Sequence, residues 1–416
     1  MGWSDSKIWD VVVIGGGPAG MMSAGTAGAE GKSVLLIEKN PNLGKKLLIS
    51  GGGRCNLMNA EMDTRKLLEK FGEAGKFLFS AFAQFSSTEA LEFFNSRGLE
   101  TKIENELRVF PVSDKAQSVW NVLNDYMRKG NVTVKTYTAV ENFVMADDGT
   151  ISAVRIMGDE IKAKSFILAT GGKSRPETGS TGDGFEWLKT IGHTVIDTAP
   201  SLVPLKLSDT WVKELAGVSL PMVRFTILQN GIRQSVRKGK LLFTHVGVSG
   251  PGILNISNEI RELLEYGEVT IMADLLTDLD HRQVDTAILE SFKGEINKKF
   301  KNINSELIPS ALLQTVGKLA DIDPETPCHS VSREARLKLV QLLKALPLHV
   351  SGLLGLEKAV ITSGGIALEE VDFKTMRSRK IPNLYLTGDI LNINRPTGGY
   401  SFQMCWTTGF VAGKNA

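Results

Sequence analysis

The most constraining feature of the chain is a glycine turn. Gly15-Gly16-Gly17-Pro18-Ala19-Gly20 lies between a short β-branched run, Asp10–Ile14, and a run of small residues reaching Ala29. The run before the turn predicts a buried parallel strand and the run after it a helix. Gly31 closes the helix, and Ser33–Ile37 predicts a second strand. The first forty residues therefore form one βαβ unit. Its turn matches G-x-G-x-x-G at Gly15, Gly17 and Gly20. The first glycine permits the tight turn, the second lets a pyrophosphate approach the backbone, and the third lets the helix pack on the strand. Phosphate then sits on the free N–H groups and positive end of the helix. Glu38 ends the second strand, where an acid binds ribose hydroxyls.

Two distant segments favour FAD over NAD. Asn383–Asp389 (NLYLTGD) reads as a strand whose Gly-Asp end meets the ribityl and pyrophosphate region, and Ser165–Gly172 (SFILATGG) is another flavoprotein-type strand. A chain that folds its C-terminus back onto the same cofactor suits the longer dinucleotide. There is no second G-x-G-x-x-G motif, so NADH or NADPH, as a transient electron donor, would visit the flavin face directly.

Lys45–Asn59 reads as a loop containing SGGGRCN, while Thr64–Lys70 and Ser87–Ser96 have helical spacing. Val132–Thr138, Ala139–Met145 and Ile151–Met157 read as strands, the last two joined at Asp147-Asp148-Gly149. After Pro200, residues 201–275 alternate apolar runs with glycine turns and predict β structure of small-barrel type. Residues 280–346 read as mostly helical. β signals return at Ala359–Thr362, and a last helix begins near Gly399. The predicted fold class is α/β: a Rossmann-like FAD-binding domain from both chain ends (1–200 and 353–416), interrupted by a β-barrel-like domain (201–278 and 347–352) with a helical insert (279–346). An insertion of about 150 residues is an ordinary domain size.

Composition narrows the remaining classes. At 416 residues with a net charge of +2, the chain favours no partner by charge alone. Cys55, Cys328 and Cys405 are far apart with no C-x-x-C pair, so no disulfide framework, zinc site or dithiol relay is expected. No metal site is expected, and a reduced, cytoplasmic protein is. Val11–Ala29 carries no charge, but its glycine density predicts strand, turn and helix instead of a membrane span. Met1-Gly2 with Ser6 matches the loose myristoylation pattern, which so short a motif reaches by chance.

The motifs GGGPAG, IEKN, LGKKLLISGGGRCN, RVFPVSDKA, ATGGKS, TGSTGDG, LFTHVGVSGP, TSGG and PTGGY occur in that order. Through them, from Asp10 to Gly413, the chain closely resembles the BaiN/RdsA family of flavoproteins, which includes proteins called aminoacetone oxidases. The resemblance implies an FAD-binding domain interrupted by a small β-barrel with a helical insert. It implies that Gly15, Gly17, Ala19 and Gly20 hold the pyrophosphate, Glu38 the ribose, and the Val140 backbone the adenine. Lys46, Arg54, Cys55 and Asn56 belong to a loop running toward the flavin, and Gly388, Asp389, Thr397, Gly398, Gly399 and Tyr400 surround the ribityl chain and isoalloxazine. Pro18, Lys39, Thr170 and Gly171 join the cofactor set from the same motifs. Gly388-Asp389 and Asn392 depart from the Gly-Glu and Asp of many relatives, which leaves FAD binding intact and places substrate preference in doubt.

Arg54 and Lys46 lie in a stretch without acids between Glu38 and Glu61, and a cation near flavin N1–C2 would stabilise the reduced ring. The alternative is a phosphate contact or a solvated charge. The catalytic acid or base is not identified. His245 is the best histidine candidate, with a domain-shaping role as its alternative, and Cys55 and Tyr400 are weaker ones. For Cys55, packing as a small hydrophobe is the better reading. From Leu215 to Asn258 there is no acid, yet Arg224, Arg233, Arg237, Lys238 and Lys240 occur, so the inserted domain offers an RNA-phosphate contact or a plain basic surface. Three functions remain open. The first is reduction of an activated C=C bond, as with uridine in 23S ribosomal RNA or unsaturated steroid acids in this family. The second is oxidation of a small amine such as aminoacetone with oxygen. The third is a flavin-binding, RNA-interacting protein without turnover. Outside RNA, the partner is a small-molecule substrate. No membrane partner is expected, and the sequence leaves the oligomeric state open.

Overall fold

The computed structural model describes residues 7–303 and 306–416. Met1, Gly2 and Ser6 of the myristoylation pattern lie outside the described residues. Contacts divide the chain into two compact units, one running to Pro200 and resuming over Ala359–Ala416, the other Ser201–Lys358.

The first unit is built on a seven-stranded sheet of Rossmann type. β1 (Ile8–Ile14) pairs in parallel with β2 (Val34–Ile37) on one side and with Asp159–Leu168 on the other. Thr133–Lys135 extends the sheet beyond β2. The long strand Asp159–Leu168 divides one edge between two partners. Its first half pairs antiparallel with Ile151–Ile156, and its second half pairs in parallel with Leu384–Leu386. In this way the C-terminal segment enters the sheet beside Asp159–Leu168, on the edge opposite to β1. Val11–Val13 and Val34–Leu36 are fully buried, as expected of strands covered on both faces.

The helix α1 (Pro18–Ala29) is almost entirely buried. Its small residues permit close approach by the C-terminal helix Tyr400–Asn415. A Cβ on Gly409 would stand 2.7 Å from the Ala19 carbonyl oxygen. Trp406 lies at 0% exposure in the same core, with its indole N–H donating to the Leu57 carbonyl oxygen at 2.9 Å.

Four segments depart from the sequence reading. Lys45–Ile49, expected as loop, is a one-turn helix entered through Gly44 in the left-handed region. Helices Ala74–Gln84 and Ala116–Lys129 fill stretches to which no element was assigned. In the second unit, Pro251–Leu264 is a 14-residue helix inside a region read as β. Its start is marked by Pro251 in the first turn, and Ile253, Ile256, Ser257 and Ile260 form its buried stripe.

The second unit contains a closed barrel. Its strands follow the order Leu205–Leu207, Gly247–Ser249, Ile232–Thr244, Ser219–Gln229, Val269–Asp274 and Leu346–Leu353, and the last returns to the first. Leu353, assigned from sequence to the first domain, still pairs with Leu205. Helices His281–Gly294, Ser310–Leu319 and Arg333–Lys344 lie between the last two strands and share the barrel's apolar core. Among the described residues, no helix is long and apolar enough to cross a membrane.

Candidate functional site

The site begins where β1 meets α1. Gly15 has φ +103°, and a Cβ there would stand 2.6 Å from the Ala169 carbonyl oxygen. Gly20 packs against Gly15, so the turn is folded tightly between two strands' ends. Gly17 occupies the N-cap of α1 without a side-chain cap, and the first turn carries no acid. A Cβ on Gly17 would meet nothing within 4 Å. An uncapped helix start with an open approach suits an anionic group.

Glu38 stands beside this turn, buried at 8% exposure. One carboxylate oxygen accepts from the Gly16 N–H at 2.8 Å. The other accepts from the Asn40 backbone N–H and side-chain amide, both at 2.7 Å. The Asn40 amide also donates to the Thr178 carbonyl oxygen at 3.1 Å. Lys39 pairs with Asp183 at 2.7 Å, so the Thr178–Gly184 motif is tied to the end of β2 at Glu38 by two neighbouring side chains. The chain that leads to Val140 runs past the same point, with Glu38 N–H donating to Lys135 O and Thr138 N–H to Glu38 O.

At the other end of α1's first turn lies Gly388, with φ +74°. A Cβ on Gly388 would stand 2.9 Å from the Ala19 Cβ. The Gly-Asp end of the C-terminal strand thus touches the phosphate-type turn. Asp389 is partly buried, its side chain 13% exposed, and is paired with Arg395, whose side chain is 1% exposed. Burial would raise the Asp389 pKa, but the charges of Arg395 and Lys46 hold it below the ordinary carboxylate value. Burial pushes the Lys46 ammonium down, while Asp389 opposes that shift. Lys46 Nζ donates to Ser174 Oγ at 3.3 Å.

The SGGGRCN loop and the PTGGY segment meet. With its amide oriented to satisfy both ends, Asn56 donates to Met58 O and accepts from Gly399 N–H. Asn59 donates to the Gly398 carbonyl oxygen at 3.0 Å. Thr397 leads into this pair of glycines, and Tyr400 opens the C-terminal helix, its buried ring edge-on to Phe71. Thr170 Oγ1 is buried without a hydrogen-bond partner beside the left-handed Gly171.

Other candidates sit differently from the expectation. The Arg54 guanidinium is engaged by Glu104 at 2.6 Å and Asp114 at 2.9 Å and stacks on Phe110 at 4.0 Å. Its lack of acidic neighbours along the chain is reversed in space. Cys55 is fully buried and burial pushes its thiol up to about 12, which makes it a packed side chain and a poor nucleophile. His245 lies in the second unit, exposed at the turn after Ile232–Thr244. The basic stretch there is partly neutralised. Arg224 pairs with Asp274 and Arg237 with Glu259, leaving Arg233, Lys238 and Lys240 without ion pairs among the described residues. No group of three or more His, Cys, Asp and Glu able to hold a metal occurs among the described residues.

Sequence reasoning missed Asn40, Arg395 and Thr362. The Thr362 hydroxyl accepts from the N–H groups of Lys173 and Ser174 at 2.8 and 2.9 Å. It therefore shapes the loop after the strand Asp159–Leu168. Its place in TSGG was the available signal.

The site's residues fit a long dinucleotide. The open, uncapped helix start, the buried acid beside it, the Gly388 contact and the unpartnered Thr170 hydroxyl all belong to the first unit.

Residues 9–415 match the model of the family described as HI0933-like protein Rossmann domain. A ribosomal RNA dihydrouridine synthase of Escherichia coli (strain K12) is 31% identical over 98% of this chain and 98% of its own length. A 3-dehydro-bile acid delta(4,6)-reductase of Clostridium scindens is also 31% identical, over 97% of this chain and 98% of its own. Among solved structures, the open conformation of a flavocytochrome c3 fumarate reductase is similar in fold. It has a TM-score of 0.56 at 17% identity and covers all of this chain and 81% of that one.

Proposed function

The chain belongs to the HI0933-like, or BaiN/RdsA, family and is a flavin-dependent oxidoreductase, and we propose that it uses FAD to reduce an activated C=C bond. The observation that carries the cofactor assignment is the approach of Gly388 to Ala19, which joins the C-terminal strand end to the glycine turn. In this reading Gly15, Gly17, Pro18, Ala19 and Gly20 hold the pyrophosphate on the start of α1. Glu38 takes the ribose, with Lys39 beside it and the Val140 backbone facing the adenine. Lys46, Asn56, Thr170, Gly171, Gly388, Asp389 and Thr397–Tyr400 line the remainder. Bound FAD supplies hydride transfer. The chain supplies the rest. The glycine turn and Glu38 orient the dinucleotide, Asn56 and Asn59 fix the Gly398-Gly399 turn, and Lys46 contributes a cation. Arg54 serves as a strut that fixes the SGGGRCN loop through Glu104 and Asp114. The second unit is assigned as an inserted barrel domain with a helical insert.

The substrate proposed is uridine in 23S ribosomal RNA, reduced to dihydrouridine, with NADH or NADPH as the electron source. The E. coli relative's name supports this choice, and Arg233, Lys238 and Lys240 on the barrel support a phosphate contact. The bile-acid relative, at equal identity, supports a small-molecule reductase as the second reading. Deleting the gene and mapping dihydrouridine in 23S ribosomal RNA tests the choice. Loss of a site is expected. An unchanged map, beside peroxide production from aminoacetone by the purified yellow protein, would replace the reductase with an amine oxidase.

A further inference from the structure

The loop between the Gly-Asp turn and the C-terminal helix carries a buried arginine that the cofactor assignment leaves without a role. Arg395 is 1% exposed at its side chain, and its guanidinium is spread over three separate acceptors. It pairs with the Asp389 carboxylate, donates through Nε to Ser401 Oγ at 2.9 Å, and donates through Nη1 to the Ile393 carbonyl oxygen at 2.8 Å. These acceptors belong to the Gly388–Ile390 turn, the loop that follows it, and the first turn of the helix Tyr400–Asn415. The residues between them include Thr397, Gly398 and Gly399.

We propose that Arg395 is a positioning residue of the flavin site, holding Asp389 and the Thr397–Tyr400 segment in one frame through its three hydrogen bonds. The inference rests on the assignment of FAD to this site. A buried ion pair is weak evidence for net stability, since apolar side chains of similar volume often serve as well. What a planar guanidinium adds is geometry, because its donors diverge in fixed directions. Here those directions reach both chain segments that flank the proposed ribityl and isoalloxazine region.

Three charged or titratable groups face Asp389. Lys46 comes from the helix Lys45–Ile49, Arg395 from the loop, and Cys405 from the C-terminal helix, while Glu177 acts on Lys46. Among the described residues, removing Arg395 leaves Lys46 as the only cation acting on the carboxylate. Asp389 then protonates at higher pH, and a site that needs its ionised, fixed form loses FAD in acid.

The test is FAD binding to deflavinated protein, followed by flavin fluorescence between about pH 5 and 8. Wild type, Arg395→Lys, Arg395→Met and the double variant Arg395→Met/Asp389→Asn are compared. Wild-type affinity should be flat with pH. Arg395→Met should bind at least roughly tenfold more weakly and lose affinity by up to about tenfold per pH unit on the acid side. The double variant should bind weakly with no acid limb. Arg395→Lys should restore the flat profile without full affinity, since an ammonium lacks the divergent fork. Should Arg395→Met not fold, Arg395→Lys decides: weaker FAD binding with an unchanged melting temperature of the FAD-free protein supports positioning, and wild-type affinity overturns it. Flat, wild-type-like binding by Arg395→Met also overturns it while leaving the cofactor assignment intact. A wild-type protein that binds no FAD overturns both.

Discussion

Replacing Glu38 by Gln tests the cofactor assignment at its most defined point. The Glu38 carboxylate accepts three hydrogen bonds from the protein, one from Gly16 N–H and two from Asn40. A carboxylate has two acceptor oxygens, and a glutamine amide has one. If the amide oxygen keeps both Asn40 bonds, the NH2 group is left facing the Gly16 N–H, donor against donor. Hydrogen bonds to charged groups contribute about 1.5–3 kcal/mol each, and neutral acceptors give roughly half as much. Losing one such bond and weakening two gives a local cost of about 3–6 kcal/mol. Part of it is relieved by movement of the turn, and that movement displaces Gly15–Gly17 from the helix start they present. A share of about 1.5–3 kcal/mol in ligand affinity corresponds to roughly tenfold to a hundredfold weaker FAD binding. Any bond to the ribose lost with the charge acts in the same direction. Titration of deflavinated protein with FAD, read by flavin fluorescence, measures the change directly. A Gln variant that binds FAD within about twofold of wild type, with an unchanged melting temperature, would refute both the geometry and the assignment.

Two further outcomes follow from burial. His193 is buried between Glu370 and Ser378, with 2.9 Å contacts at both ring nitrogens, and burial pushes its pKa below the ordinary value despite Glu370. Its folded pKa is depressed, so the stability from neutral His193 is present above about pH 6.5 and lost as pH falls below it. Glu370 is itself held down to about 2, with burial opposed by Lys380 and Thr194, so its own contribution fades only at lower pH. The melting temperature should therefore fall between about pH 7.5 and 5.5, and His193→Gln should show a shallower fall; an equal slope would exclude His193 as the cause. The second outcome concerns the thiols. Cys55, Cys328 and Cys405 are buried, and burial pushes Cys55 and Cys405 up to about 12. The native protein should show no rapid reaction with a disulfide reagent such as DTNB, and all three thiols should react after denaturation. A rapid thiol in the native protein would return Cys55 to the catalytic candidates.

The parts of the site that were legible in sequence are those where backbone geometry dictates residue type. Gly15 must be glycine because its φ is +103° and a Cβ would meet Ala169, so the turn declares itself in the residues that form it. Glu38 is legible for a related reason, since it ends a strand at a set spacing from that turn. What was not legible is partnership across the chain. Arg54 looks free of acids over its own segment, yet Glu104 and Asp114 reach it from another hairpin. The helix Pro251–Leu264 was hidden by the glycine turns on either side of it, although its 3–4 residue apolar spacing was present. Arg395 carries no motif by itself, and although its three acceptors lie close to it in sequence, only the folded loop reveals that they converge on one guanidinium. Local rules therefore mark the proposed dinucleotide turn, while the side-chain pairings that hold the rest of the site in place emerge only in the folded chain. In the proposed assignment the glycine turn and its acid serve the cofactor whatever the flavin reduces, so substrate choice within the family is expected to reside in that second group.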